Sequence, residues 1–417
     1  MNFPPLISGM MAPAFVPCRL ILIGILAILP ELSAQPATDE SDDSVVDQLL
    51  ALPDDLEEEL PDDVKAFLAE LDEESNWFPS FTLSALMGER DNVGLSSVVP
   101  QSAYFGEARA EGFLWWQPLD SAWEGLVMLD GRHRRYENNP VADEEQSWLG
   151  QAELSWLPLR WFDLKVRTQG FFQDEVIDLS TTAAQRTVLP IQVLGGRADL
   201  TARFKLLFGV AIESRAGGLR SDYRELAEDF YSRDWWNGVT WAPARWMKLY
   251  YGQQTIDRDY DFRNQTTAGG RSIADTLLAF GQDEEQGRLQ FKMKWLGSWR
   301  LDVAGGLVEN RDNAAGFFNY DRKRWRSELE WVSPEDRWEL RVEWEEKATD
   351  YLNQTVGAGL NPEGRRQDDR LRRGEVIWRF NDRWNARVEY EDTLSESNEV
   401  NATYRDRTIW FGLSFES

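Results

Sequence analysis

Apolar and polar residues alternate with a period of two over most of the chain after residue 76, as in β-strands that have one apolar face. Apart from a short run near the N-terminus, no apolar stretch is long enough for a membrane-spanning helix. The alternation therefore predicts an all-β protein. The clearest strand sets Trp338, Leu340, Val342 and Trp344 against Glu339, Arg341, Glu343 and Glu345.

Seven short turns, most of them flanked by aromatic residues, separate these strands. Short turns join antiparallel neighbours. Tryptophan beside such turns is typical of a membrane–water interface, because the ring has an apolar body and one N–H that needs a polar partner. The turns are predicted near residues 117–122, 157–160, 203–206, 241–245, 296–298, 332–336 and 379–383, and longer polar connections at 137–146, 174–187, 257–284 and 350–368.

Short turns at one end and long loops at the other predict an antiparallel transmembrane β-barrel with periplasmic turns and extracellular loops. Seven turns and two free ends on the same side imply 16 strands over residues 77–417. The number becomes 14 or 18 if the prediction of one of the two weaker turns, 117–122 or 203–206, is wrong. Within the connection at 257–284, residues 272–280 are apolar enough to predict a short helix, which could fold inward as a constriction or cover the mouth.

The alternation also assigns the two faces of the wall. A Lys or Arg on the lipid face at the bilayer midplane costs about 2–4 kcal/mol, so the charged faces must point inward. Fixed charges inside a wet pore tune its selectivity, but they could equally pair into a network that only stabilises the wall. The predicted pore-lining residues are Arg288, Lys292, Lys294, Arg324, Arg326, Glu328, Glu330, Arg341, Glu343, Glu345, Arg373, Glu375, Arg379, Arg387, Glu389 and Glu391.

The last strand alternates Ile409, Phe411, Leu413 and Phe415 almost to the C-terminus. In this it resembles bacterial outer-membrane β-barrels of the porin type, whose final strand ends in alternating aromatic residues that the barrel-assembly machinery reads. The resemblance is architectural, covers residues 77–417 and includes no family-specific motif; two residues follow the last aromatic here, whereas the family usually ends on it. It implies the outer membrane of a Gram-negative-type bacterium, with the assembly machinery and outer-membrane lipid as partners.

The first 76 residues differ from the rest of the chain. Arg19, the apolar run 20–29 and the small residues Ser33 and Ala34 predict a signal peptide over residues 1–34. Residues 35–76 carry sixteen Asp and Glu against the single Lys65 and predict an acidic periplasmic segment, with a short helix around Val64 to Leu71.

The composition argues against several kinds of partner and chemical site for this chain. A net charge of -27 makes nucleic acid an unfavourable partner, because phosphates would be repelled. The one cysteine, Cys18, lies in the predicted signal peptide, so neither a disulfide nor a thiolate metal site is expected, and no cofactor is expected. The one histidine, His133, could be a general base beside Asp130, but no nucleophile motif accompanies it and no enzyme is expected.

Two functions remain from the sequence. The favoured one is a porin-like channel for passive passage of small polar solutes or ions, as a single copy or as three copies together. The alternative is an export or secretion barrel for a polysaccharide or protein system, in which the acidic segment 35–76 docks a periplasmic partner.

Overall fold

The computed structural model describes residues 76–118, 121–140, 142–178, 188–224, 228–357, 362–399 and 402–417, and only the backbone of 176–178 and 188–190. Within these ranges, no helix is long and apolar enough to cross a bilayer. The predicted signal peptide lies outside the described residues, and so does nearly all of the acidic segment. The strands are β1 (Trp77–Arg90), β2 (Ala103–Trp116), β3 (Trp123–Tyr136), β4 (Glu144–Leu159), β5 (Phe162–Asp178), β6 (Val188–Lys205), β7 (Val210–Tyr223), β8 (Phe230–Ala244), β9 (Met247–Tyr260), β10 (Ala279–Lys294), β11 (Ser298–Asp312), β12 (Tyr320–Val332), β13 (Trp338–Val356), β14 (Glu363–Arg379), β15 (Trp384–Ser397) and β16 (Tyr404–Glu416).

Each strand pairs with its sequence neighbours, and the first and last strands close the ring. β1 and β16 run antiparallel in the register Ser84↔Ser414, and the two buried hydroxyl groups are hydrogen-bonded at 2.8 Å. A closed ring leaves no unpaired strand edge. The predictions of an antiparallel barrel and of 16 strands are therefore confirmed.

The outer face of the wall is apolar and the inner face is polar. Trp338 and Val342 are each 46% exposed on the outside of β13, whereas Glu343, the residue directly after Val342, is 1% exposed. The outer side chains carry apolar surface that only a non-aqueous surrounding would cover favourably. This distribution is what a barrel that spans a bilayer requires.

The seven short turns and both ends of the barrel chain lie at one end of the ring, as predicted. Six turns lie at or next to their predicted positions. The turn predicted near 203–206 is present but lies about three residues later, because β6 continues to Lys205 and the chain reverses over residues 206–209. Phe204 still packs on Phe162 with ring centroids 5.0 Å apart, and Lys205 Nζ lies 3.0 Å from Asp163 Oδ1, so contact with β5 continues into the predicted turn.

That turn is unusual because it is built from exposed apolar residues. Leu207 and Phe208 are 78% and 89% exposed, and Phe208 (φ 58°) and Gly209 (φ 71°) both adopt the left-handed region. Glycine has no Cβ and reaches this region without strain. A run of Leu and Phe in the sequence looks like strand, which is why the turn was placed too early.

At the other end, several connections are shorter than predicted because the strands continue above the apolar belt. β13 extends to residue 356 and β14 begins at residue 363, so much of the predicted 350–368 loop is strand. There both faces are polar, and the alternation that marks a strand disappears. The predicted helix over 272–280 is wrong, because Ile273 N–H donates to Gln265 O and Leu278 N–H donates to Arg263 O, so these backbone groups pair with the other arm of the loop.

Candidate functional site

Charged side chains from non-neighbouring strands meet across the inner face of the wall. Arg90 on β1 contacts Glu145 on β4, with Nη1 and Oε1 3.2 Å apart. Arg109 on β2 reaches Glu389 on β15, with Nη1 and Oε1 2.9 Å apart. Two strands separate the partners of each pair along the ring, so the side chains must project into the interior. The inner face is therefore the candidate site.

The sixteen residues proposed to line a pore all occupy the inward phase of the registered strands, and all lie on the wall from β10 to β15. At several places the directly opposed residues of two adjacent strands carry opposite charges; Glu330 faces Arg341, and Glu343 faces Arg373. Opposite charges at directly opposed positions attract. The inward residues are Arg288, Lys292 and Lys294 on β10; Arg324, Arg326, Glu328 and Glu330 on β12; Arg341, Glu343 and Glu345 on β13; Arg373, Glu375 and Arg379 on β14; and Arg387, Glu389 and Glu391 on β15.

Glu343 is at the centre of this wall and its side chain is fully buried. Arg326 Nε lies 2.8 Å from Glu343 Oε1, and Arg373 Nη1 lies 3.8 Å from Oε2. Neither carboxylate oxygen is aligned for a hydrogen bond with a described donor, so the contact is ionic. Arg326 and Arg341 both also contact Glu328, each at 2.9 Å, which joins β12 to β13. This part of the wall is a paired network.

Several predicted residues pair with partners that the sequence did not single out. Arg288 contacts Asp302, Arg324 contacts Glu284, and Arg379 Nη2 lies 2.6 Å from Glu339 Oε2. Asp302 on β11, Glu284 on β10 and Glu339 on β13 were not among the predicted pore-lining residues. Together these pairs extend the network from β10 to β14.

A second network on the opposite side of the ring was missed. Arg134 Nη2 lies 2.7 Å from Glu107 Oε2, and Glu107 also contacts Arg109. Further round, Arg197 contacts both Asp199 at 3.1 Å and Asp234 at 2.7 Å. The same period-two pattern is present there, but small outward residues such as the glycines and alanines of β2 replace bulky apolar ones and weaken the signal.

The candidate catalytic groups are split between the two faces of the wall. Asp130 faces inward in register with Glu111, whereas His133 lies three residues further on and faces outward. The His133 side chain is 43% exposed, with Nε2 4.0 Å from Glu144 Oε2. The structure therefore does not bring His133 and Asp130 together. Among the described residues, no group of three or more His, Cys, Asp or Glu is arranged to hold a metal ion.

At the loop end, a buried collar of aromatic residues lies on the inner face. Tyr260 contacts Phe230 and Phe280 with ring centroids 5.6 and 5.7 Å apart, and Phe280 contacts Phe318 at 5.7 Å. Arg263 lies 4.8 Å from the centroid of the Phe318 ring and is itself buried. These contacts join the loop ends of β8, β9 and β10 to the loops after β9 and β11 at the mouth.

Other inward charges form no ion pair with a described residue, and they lie on opposite walls. Lys248, Lys292 and Lys294 occupy the periplasmic half of β9 and β10, and two of them are exposed. Glu111 on β2 and Glu124 on β3 are likewise without an ionic partner in the described ranges. β2 and β10 are eight strands apart in a ring of sixteen, so the basic and acidic groups face each other across the interior.

Comparison with known proteins gives a likeness of fold. No protein-family model matches the chain, and no curated protein matches it. Three solved structures illustrate the likeness. Pseudomonas aeruginosa OpdQ has 9% identity over 82% of this chain and 99% of its own, with a TM-score of 0.45. Acinetobacter baumannii OccAB1 has 8% identity over 82% and 97%, also with a TM-score of 0.45. A bacterial polysaccharide outer membrane secretin has 10% identity over 81% and 97%, with a TM-score of 0.41.

Proposed function

We propose that the protein is an outer-membrane channel through which small polar solutes or ions pass passively. The observation that carries the proposal is the closed ring of sixteen strands with an apolar outer face and a charged inner face. Barrels with this many strands are wide enough for an aqueous channel, whereas eight-stranded barrels are filled by their own side chains. No catalytic step is part of the proposal.

In this channel, passage is governed by the lumen width, the mouth loops and the fixed charges. Paired residues such as Glu343 and Arg326 hold the wall, while the charges without an ionic partner act on the solute. The lysines of β9 and β10 would attract anions, and Glu111 and Glu124 on the facing wall would attract cations. Because these groups oppose each other, a solute that carries both signs would be oriented as it passes.

The experiment is conductance of the purified full chain in planar lipid bilayers. We expect stepwise currents and a reversal potential, under a salt gradient, that shifts towards cation selectivity in the triple variant Lys248→Glu, Lys292→Glu and Lys294→Glu. The matched control is Lys323→Glu, because Lys323 lies on the outer face of β12 and has no described ion pair. A folded protein that gives no current steps over a range of voltages would overturn the proposal.

A further inference from the structure

An arginine patch lies on the outer face of the wall near the loop end of β14 to β16. One registered row runs from Trp344 on β13 through Arg372 and Asp392 to Arg407 on β16. All four belong to the outward phase, as do the exposed residues Val376 and Val388 lower on the same strands. Arg405 lies two residues further towards the loop end of β16. We call Arg372, Arg405 and Arg407 the arginine patch.

The patch begins where the apolar belt ends. In the row immediately below, the outward positions are Gly374, Tyr390 and Ile409, and both Tyr390 and Ile409 are more than two-fifths exposed. The change from apolar to charged therefore occurs at the same registered row on three consecutive strands. In a membrane, the end of the apolar belt is the level of the lipid headgroups.

The guanidinium groups are held in place but remain accessible. Arg405 Nε and Nη2 each donate to Asp392 at 2.7 Å, and Arg407 Nε lies 3.9 Å from the same carboxylate. The Arg372 guanidinium lies 4.8 Å from the centroid of the Trp344 ring. The Asp392 side chain is 7% exposed, whereas Arg405 and Arg407 are 44% and 46% exposed. One buried carboxylate thus orients arginines whose outer surfaces are free to bind another anion.

This arrangement differs from the other outward ion pairs in the described strands. Elsewhere every outward arginine that forms an ion pair has at least one carboxylate for itself, although the chain as a whole is strongly acidic. Here Arg405 and Arg407 of β16 share Asp392 of β15, and Arg372 of β14 faces the same aspartate in the neighbouring strand. Acidic residues flank the patch on β1, where Glu89 faces Ile409 and Asp91 accepts the Arg407 N–H at 2.6 Å, and towards the loops, where Glu346 and Glu396 contact Arg370. The other outward pairs are Arg220 with Asp222 and Asp261, Arg233 with Asp259, Arg311 with Glu309 and Asp321, Arg366 with Asp350, and Arg370 with Glu346 and Glu396.

We propose that the arginine patch binds the phosphate group of an anionic lipid in the outer leaflet. Guanidinium groups match phosphate through paired N–H donors, and arginine stems lie readily along apolar surface with the charged end at the headgroup level. The Trp344 ring, which lies in the same row beside Arg372, gives the acyl chain an apolar contact next to the phosphate. The site rests on the proposed membrane location but not on conduction, because it lies on the opposite face of the wall from the lumen.

The test is lipid binding by the full chain in neutral detergent, followed by native mass spectrometry and thermal unfolding. The probes are a short-chain phosphatidic acid, phosphatidylcholine of the same chain length, and inorganic phosphate. We expect the phosphatidic acid to bind and to raise the unfolding midpoint, while the other two have little effect. The triple variant Arg372→Gln, Arg405→Gln and Arg407→Gln should weaken phosphatidic acid binding at least tenfold.

Two further variants keep the test decisive. The matched control is Arg220→Gln, Arg233→Gln and Arg366→Gln, which removes the same charge from outward arginines that have carboxylates of their own. The triple lysine variant of the patch retains the charge, so it should fold even if the glutamine variant does not. It should lose part of the affinity, because lysine lacks the paired N–H donors of arginine.

Equal losses in the patch and control variants, or no preference for phosphatidic acid over phosphatidylcholine, would overturn the proposal. Binding of inorganic phosphate as tight as that of the lipid would show that no lipid is recognised. Conductance is read separately, so failure of the channel proposal would leave this result standing.

Discussion

Replacing Glu343 with glutamine should destabilise the barrel more than replacing any exposed carboxylate on its outer face. Glu343 is fully buried and lies between Arg326 and Arg373, with closest N–O distances of 2.8 and 3.8 Å. At an effective dielectric constant of about 20, the two gross attractions are about 6 and about 4 kcal/mol. Desolvation of the three charges offsets most of this when the network is intact.

The loss on substitution is larger than the net contribution of the pairs, because the variant keeps Arg326 and Arg373, which are 18% and 19% exposed, without this carboxylate. Removing one partner of a buried pair costs about 3–5 kcal/mol. Since Glu343 makes no aligned hydrogen bond, glutamine has none to preserve, and water or Glu328 and Glu391 can partly compensate the arginines. We therefore expect Glu343→Gln to lower the free energy of unfolding by about 3 kcal/mol.

The assay is urea-induced unfolding in lipid vesicles, followed by tryptophan fluorescence. The matched control is Glu309→Gln, whose carboxylate is 65% exposed beside Arg311 on the outer face and should leave the unfolding midpoint unchanged. A double-mutant cycle with Arg326→Gln should show a coupling of about 1–3 kcal/mol, because the double variant no longer buries Arg326 without its partner. If Glu343→Gln unfolds at the wild-type midpoint, the pairs do not hold the wall and the network argument is refuted.

Two further predictions concern the mouth of the barrel and its periplasmic end. Burial raises the pKa of the Glu228 carboxyl above its ordinary value, although Arg263 Nη1 lies 2.9 Å away. Protonated Glu228 therefore stabilises the folded state at a pH below the ordinary carboxyl pKa, and this stabilisation is lost as the pH rises through the raised pKa. Glu228→Gln should accordingly flatten the pH dependence of the thermal midpoint on the acid side of neutrality, and an unchanged profile would contradict this reasoning. At the other end, Trp338 and Trp378 stack with ring centroids 5.8 Å apart and interplanar angle 18°, so each single alanine variant should lose this contact and a double-mutant cycle in refolding titrations should give a coupling of about 0.5–1.5 kcal/mol. A coupling near zero would mean that the two rings act only as separate membrane anchors.

Strand number and facing were predictable because each depends on local spacing. A closed wall between lipid and an interior forces every second residue to be apolar, so the pattern of β13 is sufficient to place Trp338 outside and Glu343 inside. The prediction of strand ends failed in the parts of the wall where every second residue no longer has to be apolar. Above the apolar belt both faces are wet, and strand residues such as those of 350–356 look like loop. At residues 206–209 an apolar turn looks like strand.

The candidate site was predicted in part. Alternation gave the inward side chains of β10 and β12 to β15, but it could not give their partners, because Arg109 meets Glu389 only when residues 280 positions apart are brought together by closure of the ring. The weaker half of the wall, with Glu107, Arg134 and Asp199, was missed because glycine and alanine on the outer face reduce the contrast between the two faces.

The sequence by itself determined that this chain forms an antiparallel barrel of about sixteen strands and which side chains point to lipid, because these follow from a period of two and from turn chemistry. Only the tertiary structure decided which charges neutralise each other, which remain without an ionic partner on facing walls, and where arginines outnumber carboxylates on the outer face. The physical reason is that ion pairing depends on distance in space, and strand register and ring closure set those distances.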